Sequence, residues 1–227
     1  EIAQCLVGSE MCIRDRIKGF EVTQTDSYIK VRYDSPKAMY KQIVVLDAGH
    51  GGSDSGAVAN GYKEKNMTLK IVQAAKSYFD KDPDIKVYYT RLPDTYPSLT
   101  ERSDLANEVD ADRFYSVHIN SAGSSATGTE TLYNSKGYKS STGLTSYSWS
   151  ATIHPYIRSA TGFTNRGLVN RTGLAVLRHT KTSSTLTEIG FISNKSEAKK
   201  MNSNLTNYGK AVYNSTKASF SKNPTGR

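Results

Sequence analysis

From Lys41 onward, short runs of β-forming residues alternate with longer stretches of helical periodicity, and this alternation confines the chain to the α/β class. Ile43–Asp47 (IVVLD) is an apolar run of the kind found in buried strands, and it stops at a glycine-rich turn, AGHGGSDSG. Leu69, Val72, Ala75 and Phe79 then recur three or four residues apart, which predicts a helix capped by Asn66 and running through Phe79. Ile85–Thr90 is the next expected strand, and Ser98 with Glu101 three residues later supplies a capping-box start for a helix across Leu105 and Ala106. Arg113–Asn120 alternates polar with apolar residues as a strand does, and Thr129–Tyr133 is expected to be another. Residues 143–161 are expected to be helical up to Gly162, and Asn165–Thr172 to be loop. Leu174–Arg178 and Thr185–Ile189 are expected as late strands, and Leu205–Ser219 closes the chain as an amphipathic helix.

The 227 residues suffice for one sizeable core, and the apolar segments are spread evenly from Ile43 on. Thirty Lys and Arg against 21 Asp and Glu give a formal net charge of +9, scattered along the chain, which favours a polyanionic partner. Nucleic acid is not expected to be that partner, because no zinc finger, basic zipper or aromatic-basic RNA-binding signature is present. No stretch approaches the ~20 apolar residues a membrane span requires. Both cysteines, Cys5 and Cys12, lie in the first 16 residues, and a thiol-free remainder suits an exported protein without disulfides. Glu10–Arg16 (EMCIRDR) resembles the translation of a sequencing-library adapter, so residues 1–16 are expected to be a non-native or leader segment and are set aside.

Four acid or imidazole residues sit where predicted strands end and loops begin: His50 after IVVLDAG, Glu64 in GYKEKN, His118 in YSVHIN and Glu188 in STLTEIG. Ligands of open α/β sheets gather at the carboxyl ends of strands, so these positions are able to converge. Two neutral imidazoles and one carboxylate make a zinc set with a fourth position left for water, whose pKa the metal lowers to roughly 7. A further carboxylate, Glu188, is then needed to take the proton and deliver it to the departing amine. Singly, each residue has a plainer reading. Glu64 between Lys63 and Lys65 is a solvated charge run on its own, and His154 and His179 are read as structural hydrogen-bonding residues. Glu188 beside an apolar strand needs a partner or a raised pKa. The glycine-rich turn lacks the spacing of a phosphate-binding loop.

The ordered text IVVLDAGHGGSDSGA, GYKEKNMTL, VYYTRLPDTYPSLTERSDLAN, ADRFYSVHINSA, GTETLY, GLAVLRH and LTEIGFISN resembles the amidase-3 type of zinc-dependent N-acetylmuramoyl-L-alanine amidase, from Lys41 to the C-terminal helix. The resemblance implies a single domain with a twisted, mainly parallel central sheet flanked by helices on both faces. It implies zinc on His50, Glu64 and His118, and Glu188 as the catalytic carboxylate. The implied substrate is the peptidoglycan amide between the lactyl group of N-acetylmuramic acid and the L-alanine of the stem peptide. A secreted, wall-degrading protein is implied, with anionic wall polymers as further partners for its basic surface.

On this reading residues 17–40 are a linker or the tail of a preceding region, 41–221 the catalytic domain and 222–227 a C-terminal tail. SSTLTE before Glu188 departs from the proline-containing, more apolar approach common in the family, and residues 134–172 match no family segment. Asp47, Arg91 and Asn120 lie beside the motifs, each able to orient a ligand or contact substrate or to serve structurally, and Asp47 and Arg91 are read as structural. Two alternatives stay open: a zinc hydrolase of another amide, and a wall-binding module without catalysis.

Overall fold

The computed structural model describes residues 17–227, so the expectation for residues 1–16, with Cys5 and Cys12, falls outside the described residues. The chain enters through an antiparallel hairpin of β1 (Gly19–Gln24) and β2 (Ile29–Asp34), followed by a single helical turn, α1 (Pro36–Met39). Strand β3 (Gln42–Ala48) is buried along nearly its whole length. After a short hairpin of β4 (Val58–Ala59) and β5 (Tyr62–Lys63) come α2 (Glu64–Phe79), β6 (Ile85–Tyr89), α3 (Leu99–Glu108) and β7 (Arg113–Asn120). The remaining elements are β8 (Thr129–Tyr133), α4 (Ser146–Thr161), β9 (Asn165–Asn170), α5 (Ala175–His179), β10 (Ser183–Phe191), α6 (Lys195–Ser203) and α7 (Leu205–Lys222).

Six strands form the central sheet in the order β6-β3-β7-β10-β8-β9. The first four are mutually parallel, β8 runs antiparallel to β10, and β9 lies parallel to β8 on the edge. Helices α2, α4, α6 and α7 cover one face through Ile71, Val72, Trp149, Ile153, Met201 and Val212. Helices α3 and α5 cover the other through Ala106, Val176 and Leu177, against Ile43, Val45, Phe114 and Leu186. From β3 the chain crosses to β6 on one side, then returns to β7 on the other. The crevice beyond the carboxyl ends of β3 and β7 is therefore the topological switch point, where open α/β sheets place their ligands.

Several elements differ from the sequence expectation, each for a physical reason. Helix α2 begins at Glu64, not at an Asn66 cap, and its buried face is Met67, Thr68, Ile71, Val72, Ala75 and Phe79, with Leu69 only half-buried. Leu174–Arg178, expected as a strand, is occupied by helix α5: a run this short carries no period that separates strand from buried helix. Asn165–Thr172, expected as loop, contains the edge strand β9. Its alternation is lost because Gly167, at φ 76°, sits in a register break opposite Thr129 and Glu130. Helix α6 was not foreseen; Asn194 caps it by accepting from the Ser196 and Glu197 amides. The capping box of α3 is present, with Glu101 N donating to Ser98 Oγ at 3.2 Å and Ser98 N to Glu101 Oε2 at 2.7 Å.

The polar approach SSTLT inside β10 is accommodated by hydrogen bonds. Ser183 and Ser184 hydroxyls donate to the Leu144 and Leu177 carbonyls, Thr185 pairs with Ser150, and Thr187 donates to Tyr115. A buried hydroxyl costs little once partnered, so this strand tolerates polarity at the sheet centre.

Candidate metal centre

The switch point is built from three segments. β3 ends at Ala48 and delivers His50 in the left-handed backbone region, φ 60°. Helix α2 starts at Glu64, and β7 carries His118 near its carboxyl end. Their ligand atoms converge: His50 Nε2 lies 3.1 Å and His118 Nδ1 3.0 Å from Glu64 Oε1, and one nitrogen or oxygen from each residue lies within 4.8 Å of the others. The two rings meet edge to face with centroids 4.9 Å apart. Such close approach dictates glycine in the turn. A Cβ on Gly49 would collide with the His118 ring, and one on Gly56, at φ 60°, would stand 2.6 Å from Glu64 Oε2.

Glu64 is buried, contrary to a solvated charge run, and its carboxylate accepts from the Ile119 amide at 3.0 Å and the Ala57 amide at 2.9 Å. Burial works to raise its pKa, but His118 and His50 prevail and hold it well below the usual carboxylate range. The imidazoles respond in the opposite sense. Burial opposes the charge on His50, yet Glu64 and then Asp54 lift it to about 9; His118 is likewise raised, against burial, by Glu64 and Glu188. The ionised Glu64 carboxylate thus favours the protonated form of both imidazoles. Two imidazole nitrogens and one carboxylate oxygen facing one another fit the donor set of a hydrolytic zinc site.

The outer contacts fix the inner ones. Asp54 Oδ2 lies 2.7 Å from His50 Nδ1, which directs the other ring nitrogen at Glu64. Asp54 was missed in the sequence, although an acid four residues after His50 in the same turn is the signal that finds it. Two buried arginines grip the turn from below. Arg102 donates to Asp47 Oδ1 at 2.7 Å and to the Ala48 and His50 carbonyls at 2.8 Å. Arg91 donates to the Ala48 and Gly49 carbonyls at 2.8 Å and to the Lys65 carbonyl at 2.9 Å, tying the His50 turn to the first turn of α2. Asp47 and Arg91 are thus structural, as read from the sequence. His154 is too: it bridges Thr131 Oγ1 at 3.0 Å and Asn165 Oδ1 at 2.7 Å. His179 is exposed at the end of α5.

Glu188 stands directly opposite His118 on β10, and opposite Glu130 of β8 on its other side. The ladder shifts register between Glu188 and Phe191, so a bulge sits immediately beyond the carboxylate, as is common beside functional groups. Glu188 Oε2 is buried without a hydrogen-bond partner among the described residues. Burial chiefly, helped by Glu64 and Glu130 and opposed by His118 and His50, pushes its pKa up to about 7. The four residues singled out in the sequence therefore meet at the carboxyl ends of the central strands. Asn120 lies two residues beyond His118 and donates to Glu130 at 2.9 Å.

The family model for N-acetylmuramoyl-L-alanine amidase, Amidase_3, matches residues 44–218. The endolysin of Bacillus phage SPP1 is 43% identical over 158 residues, covering 69% of this chain and 57% of that protein. The sporulation-specific N-acetylmuramoyl-L-alanine amidase of Bacillus subtilis is 36% identical over 160 residues, covering 70% of this chain and 59% of that protein. The match thus spans less than three fifths of the length of these two relatives. Among solved structures, the catalytic domain of the amidase CwlV from Bacillus (Paenibacillus) polymyxa superposes with a TM-score of 0.72 at 30% identity, covering 80% of this chain and 99% of that one. An N-acetylmuramoyl-L-alanine amidase from Clostridium difficile 630 gives 0.72 at 31%, covering 80% and 97%. Motifs, fold and family model agree, and the chain belongs to the amidase-3 family of N-acetylmuramoyl-L-alanine amidases.

Proposed function

We propose that this protein hydrolyses the amide between the lactyl group of N-acetylmuramic acid and the L-alanine of the peptidoglycan stem peptide, in the cell wall outside the cytoplasm. The observation that carries the reading is the meeting of His50, Glu64 and His118 within 4.8 Å, with Glu188 beside His118 on the adjoining strand. His50 Nε2, Glu64 Oε1 and His118 Nδ1 would hold zinc. When bound, zinc supplies Lewis acidity at the scissile carbonyl and at water.

The remaining work falls to the protein's own groups. Glu188 accepts the proton of the attacking water and returns it to the departing alanine amine, releasing a glycan strand and a free stem peptide. A carboxyl with a pKa of about 7 is matched to both halves of that transfer near neutral pH. Its Oε2 is buried without a hydrogen-bond partner among the described residues, so no neighbouring donor holds the carboxyl in its ionised form through that oxygen. Asp54 keeps His50 in one orientation, and Arg91 and Arg102 keep the turn that carries it from drifting. Among the described residues no helix is long and apolar enough to cross a membrane.

Metal analysis of the purified protein should give one zinc per chain, lost on His118→Ala. Digestion of purified peptidoglycan should release stem peptides with a free L-alanine amine. Glu188→Gln, checked to be folded and zinc-loaded, should lose about 10²–10⁴-fold in rate, the usual contribution of a positioned acid–base group. Digestion by Glu188→Gln at the parental rate would overturn the assignment. Products cleaved elsewhere would point to another amide, and zinc-free protein that still binds walls to a binding module.

A further inference from the structure

Beside Glu188, on the side away from the metal centre, lies an open groove of about 600 Å³ whose walls include Asn120, Glu130, Arg166, Arg171 and Phe191. Of these, the sequence pointed only to Asn120 as a residue able to orient a ligand or contact substrate. Glu130 is the cross-strand partner of Glu188, so the groove begins one strand away from the proposed proton-transfer carboxylate. Its chemistry is set by Arg166, which the register break at Gly167 places at the start of edge strand β9.

Arg166 is held but not consumed. Its Nε donates to Glu130 Oε2 at 2.8 Å, its guanidinium lies 5.0 Å from the Phe191 ring centroid, and Nη1 reaches the Thr127 carbonyl at 3.4 Å. Nη2 has no protein partner among the described residues, and the side chain is 43% exposed. Glu130 is in turn fixed by Asn120 Nδ2 at 2.9 Å. Arg171 is exposed on the same wall with no ion pair among the described residues. Two guanidinium groups against one occupied carboxylate leave the groove with one positive charge in excess, presented on planar forks suited to a carboxylate.

We propose that this groove is the subsite for a carboxylate of the stem peptide, received by Arg166 and Arg171, with Glu130, Asn120 and Phe191 positioning Arg166. The inference rests on the amidase reading for the identity of its ligand. The reach fits. Strand spacing of ~4.8 Å puts β9 roughly 10 Å from β10, and two extended residues beyond the scissile amide span about 7 Å, a gap that an arginine side chain closes. A stem peptide whose second residue is joined through its side-chain carboxyl presents its main-chain carboxylate at that distance.

The test is equilibrium binding of the product peptide L-alanyl-γ-D-glutamyl-L-lysine to the zinc-loaded protein by calorimetry. The free acid is compared with peptides amidated at the second-residue carboxylate or at the C-terminus. The wild type should bind the free acid at least ten times more tightly than one of the two amides, and which amide loses identifies the carboxylate received. Arg171→Ala should reduce that preference to within about twofold. Arg166→Ala combined with Glu130→Gln, which avoids stranding a buried carboxylate, should do the same. Equal affinity for all three peptides, or a preference that survives in both variants, overturns the proposal. Product binding needs no cleavage, so this failure is distinct from failure of the amidase reading, which product analysis of digested peptidoglycan reports separately.

Discussion

His50 concentrates the chemistry of the site in one residue. Its ring is pinned by Asp54 on one nitrogen and faces Glu64 with the other, and both carboxylates act to keep it protonated. On the zinc reading proposed above, the metal would take the nitrogen without its proton, and below about pH 9 it would displace a proton from His50 on binding. Apparent zinc affinity should therefore rise with pH, up to tenfold per unit for each proton released, and flatten above about 9. In the metal-free protein the sign reverses. The raised pKa means that the protonated form stabilises the fold; that contribution is complete below about 6.5 and is lost as pH climbs through about 9. Competition with a chromophoric chelator across this range measures the first effect; a pH-independent affinity would mean that His50 is neutral before metal arrives. Asp54→Asn retains the shape but weakens the hold on the ring. It should cost about 10–100-fold in zinc affinity, the usual price of losing such an outer contact, and the zinc-free protein should lose the Asp54 share of the His50-linked stability at pH below about 9.

At the scale of elements, the site depends on where strands stop. His50 was legible because it follows the apolar run IVVLD, His118 because the alternation of RFYSVHIN marks a strand near its end, and Glu188 because a carboxylate beside the apolar IGF needs a partner or a raised pKa. Glu64 was legible only by association, since two flanking lysines disguise it; its burial comes from starting α2 at the switch point, a property of topology and not of local pattern. Edge strand β9 was illegible because one half-buried, glycine-interrupted strand presents no alternation, and Arg166 on it went unnoticed with it. The grip on the β3 turn was half visible. Asp47 and Arg91 were read as structural, but Arg102 was not singled out, and only the packing of α3 brings its fork to Asp47, Ala48 and His50. Asp47 is fully buried and Arg102 nearly so. Removing one partner of such a pair strands the other charge, so Arg102→Ala should destabilise the fold by about 3–5 kcal/mol. Chemical denaturation reads this directly; a loss below about 1 kcal/mol would place Asp47 in contact with water after all.

Across the whole molecule the sequence carries an excess of basic charge. Thirty cationic and 21 anionic side chains give +9, and the ion pairs found include surface pairs such as Lys37–Asp110 and Lys76–Asp80 that leave much of the excess unpaired. The substrate proposed here is embedded in a wall rich in anionic polymers, and a surface of this sign raises the local concentration of enzyme on such a matrix without touching the scissile bond. That separation has a measurable consequence. Raising ionic strength from 0.15 M to 1 M shortens the screening length from about 8 Å to about 3 Å, which suppresses attraction between the protein and the wall but leaves the buried contacts of the metal centre largely intact. Digestion of whole walls carrying their anionic polymers should slow severalfold over that range. Hydrolysis of a soluble muramoyl peptide amidated at its carboxylates should change by less than about twofold, because neither long-range steering nor the arginine groove contributes to its capture. Walls stripped of anionic polymer should behave like the soluble substrate. If stripped and intact walls lose activity equally with salt, the charge acts on the glycan and peptide themselves, and the basic surface is part of substrate binding.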